Sequence, residues 1–174
     1  MASVMVQSST YRIISLSPFI IGGNLDTTMP EMLSAKDPDI ITQTKTSLLG
    51  KQFLIFNHDA LEMYRSVFIC EGALNALTMG DRAIATMGKA ISKYQINELL
   101  KAPCERYVIL LDPDAKEYAI NLAFKLVNYK KVKVIFLPEG NDCNDLGKTS
   151  VMRLVYNTRY QSYQELVAIR NSLK

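Results

Sequence analysis

Acids stand in this sequence where short apolar runs stop. Glu71 closes "VFICE", Asp112 closes "YVILLD" with Asp114 two residues on, and Asp142 lies in "GNDCND" just beyond "VKVIFLP". Such a set suits a hard divalent cation: magnesium takes oxygen ligands, usually one or two carboxylates with waters and phosphate oxygens, and a two-ion site needs more carboxylates. In extended chain residues i and i+2 share a face, so Asp112 and Asp114 can point the same way, and Pro113 between them fixes its own φ and donates no N–H. Asp145 is a weaker addition to the set. Each acid taken singly has a plainer use, as a helix N-cap or a turn residue. Their recurrence at three strand ends favours a metal site.

The stretch "EGNDCNDLGKT" also invites a phosphate-loop reading. A Walker-type cradle needs four residues between its two glycines so that backbone N–H groups face the phosphates. Here six residues separate Gly140 from Gly147, and Asp142 stands where the first glycine belongs. Two carboxylates in a loop meant for an anion are a liability, so an acid loop on the metal side is the better reading. Lys89, after Gly88, and Lys148 are the bases expected on that side, as phosphate or nucleic-acid contacts or simply as solvated lysines. The denser run Lys125, Lys130, Lys131 and Lys133 precedes a strand and belongs at the opposite sheet end.

The elements that would position these residues follow from the hydrophobic pattern. Runs at 67–71, 83–87, 107–112 and 132–138 are continuously apolar, as parallel strands covered on both faces are. Between them "SKYQINELLKA" carries Ser92 and Gln95 at capping-box spacing, and Ala119, Leu122, Ala123, Leu126 and Val127 form one helical stripe. The expected fold is therefore α/β: a small parallel sheet flanked by helices, with right-handed crossovers and any ligand beyond the carboxyl ends of the strands. Residues 66–150 would form that domain, 151–174 a C-terminal helical segment, and 1–65, rich in Ser, Thr, Pro and Gly, an irregular N-terminal subdomain.

Composition bounds the rest. At 174 residues and 48% hydrophobic the chain can bury one good core, and its net charge of +3 permits a nucleic-acid partner without arguing for one. Three scattered cysteines and a single histidine cannot build a zinc knuckle, and reduced thiols fit a cytosol. His58 reads as a packing or capping residue, and Cys70 and Cys143 as idle thiols beside the site. No run approaches the roughly 18 apolar residues of a membrane span. No membrane partner is expected.

Taken together, "VFICEGALNAL", "VILLDPDA" and the acidic loop "NDCND" resemble the Toprim domain, shared by bacterial-type DNA primases, topoisomerases and several nucleases. Over roughly residues 66–150 the primase version is the more similar, with "LLGKQFLIFNHDALE" like its lead-in and "AIATMGKAISKYQINELL" like its next strand and helix. "NDCND" resembles the corresponding loop of phage and organellar primases. Two positions depart from the pattern: Asn75 stands where many members have Asp, and "AKEYA" replaces an Ala-Gly after the second aspartate.

The resemblance implies Glu71 as general acid/base or metal ligand, Asp112 and Asp114 as catalytic metal carboxylates, and Asp142 as a further ligand. It implies Mg²⁺ or Mn²⁺ as cofactor, a single-stranded DNA template and ribonucleoside triphosphates as substrates, and a helicase or a separate zinc-binding primase subunit as partner. The setting would be the cytoplasm of a bacterial or phage-infected cell. A Toprim nuclease using the same acids and a non-catalytic docking module stand as alternatives. Crowded acids speak against the latter, since a scaffold has no need to gather like charges.

Overall fold

The structure, a computed structural model, describes residues 51–173. The irregular subdomain expected over 1–65 lies, up to residue 50, outside the described residues. A 3-10 turn (Lys51–Phe53) and a short helix α1 (Ala60–Met63) lead into β1 (Ser66–Cys70). There follow α2 (Ala73–Met79), β2 (Ala83–Ala85), α3 (Lys93–Lys101) and β3 (Arg106–Leu110). A second 3-10 turn (Pro113–Ala115) runs into α4 (Lys116–Leu126), and β4 (Lys131–Val134), α5 (Cys143–Asn157) and α6 (Tyr163–Ser172) complete the order.

All four strands are parallel, in the order β2-β1-β3-β4. From β1 the chain turns to one side and from β3 to the other, so the crevice of such a sheet falls between β1 and β3. Cys70 pairs in register with both Ala85 and Leu110, which brings Glu71, Thr86 and Leu111 out at one edge. Alternation along the strands divides the interior into two cores. Val67, Ile69, Tyr107, Ile109, Val132 and Val134 face a cluster with Leu99, Ile120, Leu126 and Leu166 from α3, α4 and α6. Cys70, Val108 and Leu110 face the other, with Ala76, Met79, Val151 and Val155 from α2 and α5.

The strands stop earlier than the runs that predict them, β2 and β3 for a local reason. β2 ends at Ala85 because Met87 turns to φ 60°, a left-handed conformation that costs a non-glycine residue roughly 1–2 kcal/mol. β3 ends at Leu110 because Pro113 opens a 3-10 turn. β4 ends at Val134, although the Ile135 N–H still reaches the Ile109 carbonyl at 3.0 Å. Past residue 150 the chain remains tied to the sheet: Leu166 is wholly buried, and Gln161 bonds Val132 and Val134 through its backbone N–H and its Oε1.

The Ser92–Gln95 capping box is present in both halves. Gln95 does more, for its buried Nε2 donates to the carbonyls of Leu54 and Thr86 at 2.7 and 2.8 Å, tying the lead-in segment and the turn after β2 to the start of α3. Gln95→Ala leaves these carbonyls without a donor, and chemical denaturation should show a loss of about 3 kcal/mol. A loss too small to measure would mean that water replaces the amide.

Candidate active site

The edge of the sheet is built around Glu71. Beyond β1 the turn at 86–89 folds back on it: Thr86 N–H donates to the Cys70 carbonyl and Gly88 N–H to the Glu71 carbonyl, each at 3.1 Å. Thr86 Oγ1 closes the turn on the Gly88 carbonyl at 2.9 Å, and the Lys89 backbone N–H faces the Glu71 carboxylate. Burial, then the charges of Asp112 and Asp114, push the Glu71 carboxyl above its ordinary range, with Lys89 opposing them. Its Oε2 is buried and has no hydrogen-bond partner among the described residues.

Asp112 leaves β3 extended, ahead of Pro113, and its Oδ1 accepts from Asn75 Nδ2 at 3.0 Å. Burial comes first, then the charges of Asp142, Asp114 and Asp145, in raising its carboxyl above the usual value. Asp114 lies one turn on, and its Oδ2 accepts from Lys89 Nζ at 2.7 Å. Lys89 thus stands on the site side, paired to an acid of the set. The other half of the Asn75 amide reaches α5, where the Asn144 N–H donates to its Oδ1 at 3.2 Å.

The loop before α5 is a cap as well as an acid loop. Asp142 Oδ1 accepts from the Asp145 N–H at 2.8 Å, and Asp145 Oδ2 from the Asp142 N–H at 3.1 Å, a reciprocal capping box. The N–H groups of Asn144, Asp145 and Leu146 are consumed by Asn75 Oδ1, Asp142 Oδ1 and the Asp142 carbonyl. A phosphate cradle at this point has no free donors among these three. Gly147, at φ 70°, kinks α5 immediately afterwards.

Lys148 follows that kink. Its Nζ lies against Gly80 at the far end of α2, where a Cβ would fall 2.9 Å from it. Lys148→Ala is therefore expected to leave Mn²⁺ affinity unchanged, and a calorimetric titration showing an altered affinity would relocate the lysine to the site. Beneath the acids the free thiols of Cys70 and Cys143 are fully buried, and the hydrogen bond between them, then burial, drives the Cys70 thiol well up. Cys70 is not an activated thiolate.

The structure thus brings Glu71, Asp112, Asp114, Asp142, Asp145 and Lys89 to one sheet edge and leaves Lys148 apart from them. Among the described residues no three acidic, histidine or cysteine side chains are close enough to grip an ion as they stand. Lys89 occupies Asp114, the cap occupies Asp142, and mutual repulsion separates ionised carboxylates. The orphaned Glu71 Oε2 and the raised Glu71 and Asp112 carboxyls nevertheless fit a divalent cation, which would satisfy the one and relieve the others. Glu71, Asp112 and Asp114 are the residues that could hold it. Asn75 is the site residue whose part sequence reasoning missed; its signals were a polar side chain one helical turn after Glu71 and its place at a position where many Toprim members have Asp.

A four-stranded parallel α/β sheet with acids beyond its carboxyl edge defines the class of protein. Among solved structures the fold is that of primase catalytic cores. The chain matches a DnaG primase catalytic domain bound to ssDNA with a TM-score of 0.56 and 19% identity, over 74% of this chain and 44% of that one. It matches the E. coli primase catalytic core (TM-score 0.52, 17% identity, 66% and 42%) and the RNA polymerase domain of Mycobacterium tuberculosis primase DnaG (0.51, 22%, 66% and 44%). The chain spans less than half the length of these structures. No family model and no curated protein matches it in sequence.

Proposed function

We propose that this chain is a metal-dependent nucleotidyl-transfer core of the primase type, joining ribonucleotides on a single-stranded DNA template. The observation that carries the reading is the buried Glu71 Oε2, without a partner among the described residues, beside Asp112 and Asp114 at the carboxyl edge of a primase-type sheet. Mg²⁺ or Mn²⁺ bound there would supply Lewis-acid polarisation of the phosphate and a lowered pKa for the attacking hydroxyl. Glu71, Asp112 and Asp114 would be its ligands, with the charge of Asp142 adding to the field on Asp112. Where Glu71 does not hold the ion, its carboxylate, made more basic by burial and by the charges of Asp112 and Asp114, is the candidate to take the proton of the attacking hydroxyl. Lys89, once Asp114 turns to the ion, is free to face a triphosphate or the template backbone. The match to a primase domain bound to ssDNA supports the choice of template. A helicase or a separate zinc-binding subunit, in a bacterial or phage-infected cytoplasm, would complete the machinery.

Incubation of the whole chain with single-stranded DNA, labelled ribonucleoside triphosphates and Mn²⁺ tests this. Short RNA products that vanish with a chelator are expected. Cleavage of the DNA without incorporation would replace the primase reading with the nuclease one, and absence of both would overturn metal-dependent phosphoryl transfer.

A further inference from the structure

Asn75 is a buried polar residue, 4% exposed, on the face of α2 that packs toward α5. Its amide is used at both ends. Nδ2 donates to Asp112 Oδ1 at 3.0 Å, and Oδ1 accepts the Asn144 N–H at 3.2 Å. One turn further along α2, Thr78 Oγ1 donates to Asn144 Oδ1 at 3.0 Å. The α2 helix therefore grips the start of α5 twice, and through Asn75 alone it also grips the acid at the end of β3.

On the metal-site reading, we infer that Asn75 is the positioning residue of the site: its amide sets the orientation of Asp112 and locks it to the acid loop at the head of α5. The three acid-bearing segments, after β1, after β3 and before α5, are then held as one unit by a side chain that touches no reacting atom. The amide suits this work for a chemical reason. Asparagine presents a donor to a carboxylate and an acceptor to a backbone N–H at once, and each group is matched. An ionised aspartate at the same place would keep the acceptor but set a second anion against Asp112. Partners that orient a ligand from behind typically account for 10–100-fold in metal affinity.

The test is Mn²⁺ binding by the whole chain, read from loss of the free-ion EPR signal, with melting curves taken with and without Mn²⁺. Asn75→Ala should fold and bind Mn²⁺ about 10–100-fold more weakly. Thr78→Ala, which loosens the same helix from α5 without touching Asp112, should bind as wild type does. Asn75→Asp is the isosteric control: a packing role predicts wild-type behaviour, whereas the positioning role predicts a lower melting temperature without metal and a larger rise on adding Mn²⁺. Should Asn75→Ala not fold, this aspartate variant decides alone. Wild-type Mn²⁺ affinity in Asn75→Ala, or an aspartate variant indistinguishable from wild type, overturns the inference and leaves the metal site standing. A wild-type chain that binds no Mn²⁺ removes both.

Discussion

Asp112→Asn is expected to reduce nucleotidyl transfer by on the order of 10²-fold or more, since an ion that loses a carboxylate forfeits several kcal/mol of transition-state stabilisation. The same substitution should leave the metal-free protein as stable as wild type or more so at neutral pH. Burial, and then the charges of Asp142, Asp114 and Asp145, hold the folded Asp112 carboxyl above its unfolded value. Between those two values the folded chain binds more protons than the unfolded one, so stability falls as pH rises through that window, and the cost is complete above it. Asparagine removes the cost while its side-chain carbonyl still accepts from Asn75 Nδ2. Melting curves in EDTA should thus place the variant above wild type at neutral pH, with the gap closing as pH drops through the carboxylate range. A variant that melts well below wild type yet keeps its activity would make Asp112 a structural turn.

Glu71→Gln is expected to be as damaging, on the order of 10²–10⁴-fold if Oε2 takes the proton of the attacking hydroxyl. The more specific expectation concerns pH. Burial and then the facing charges of Asp112 and Asp114 raise the Glu71 carboxyl in the metal-free protein, so protons should compete with the ion there and wild-type activity should fall in acid. The glutamine variant has no such group, and its residual rate should lack that acid limb. Fold is spared, because glutamine still accepts from the Lys89 backbone N–H with its carbonyl oxygen. An unaltered pH profile in Glu71→Gln would assign the limb to another residue and leave Glu71 a metal ligand only.

What was legible in the sequence is what local pattern encodes. The four parallel strands follow from continuous apolar runs, and the box of Ser92 with Gln95 from their spacing. Strand-end acids could be placed on one edge because parallel topology puts every strand's carboxyl end there. The pairings that shape the site were not legible, because they join distant segments: Asn75 meets Asp112 across 37 residues, and Lys89 meets Asp114 across 25. Asp142 shows a different limit. Its spacing to Asp145 suits a cap as well as a ligand, and the structure uses both side chains in the cap. For Lys148, strand order alone put it on the site side, while the structure sets its Nζ against Gly80, just after the left-handed Gly147. A glycine's φ is not written in its neighbours.

The central claim, that acids from three segments form one metal site, is tested most directly by Mn²⁺-induced broadening of backbone amide resonances in the whole chain. Broadening should centre on residues 71–72, 88–89 and 112–114, weaken toward 142–145, and spare Lys131 and Arg106 at the opposite ends of β4 and β3. Broadening centred on those opposite ends, or none in millimolar Mn²⁺, would contradict it.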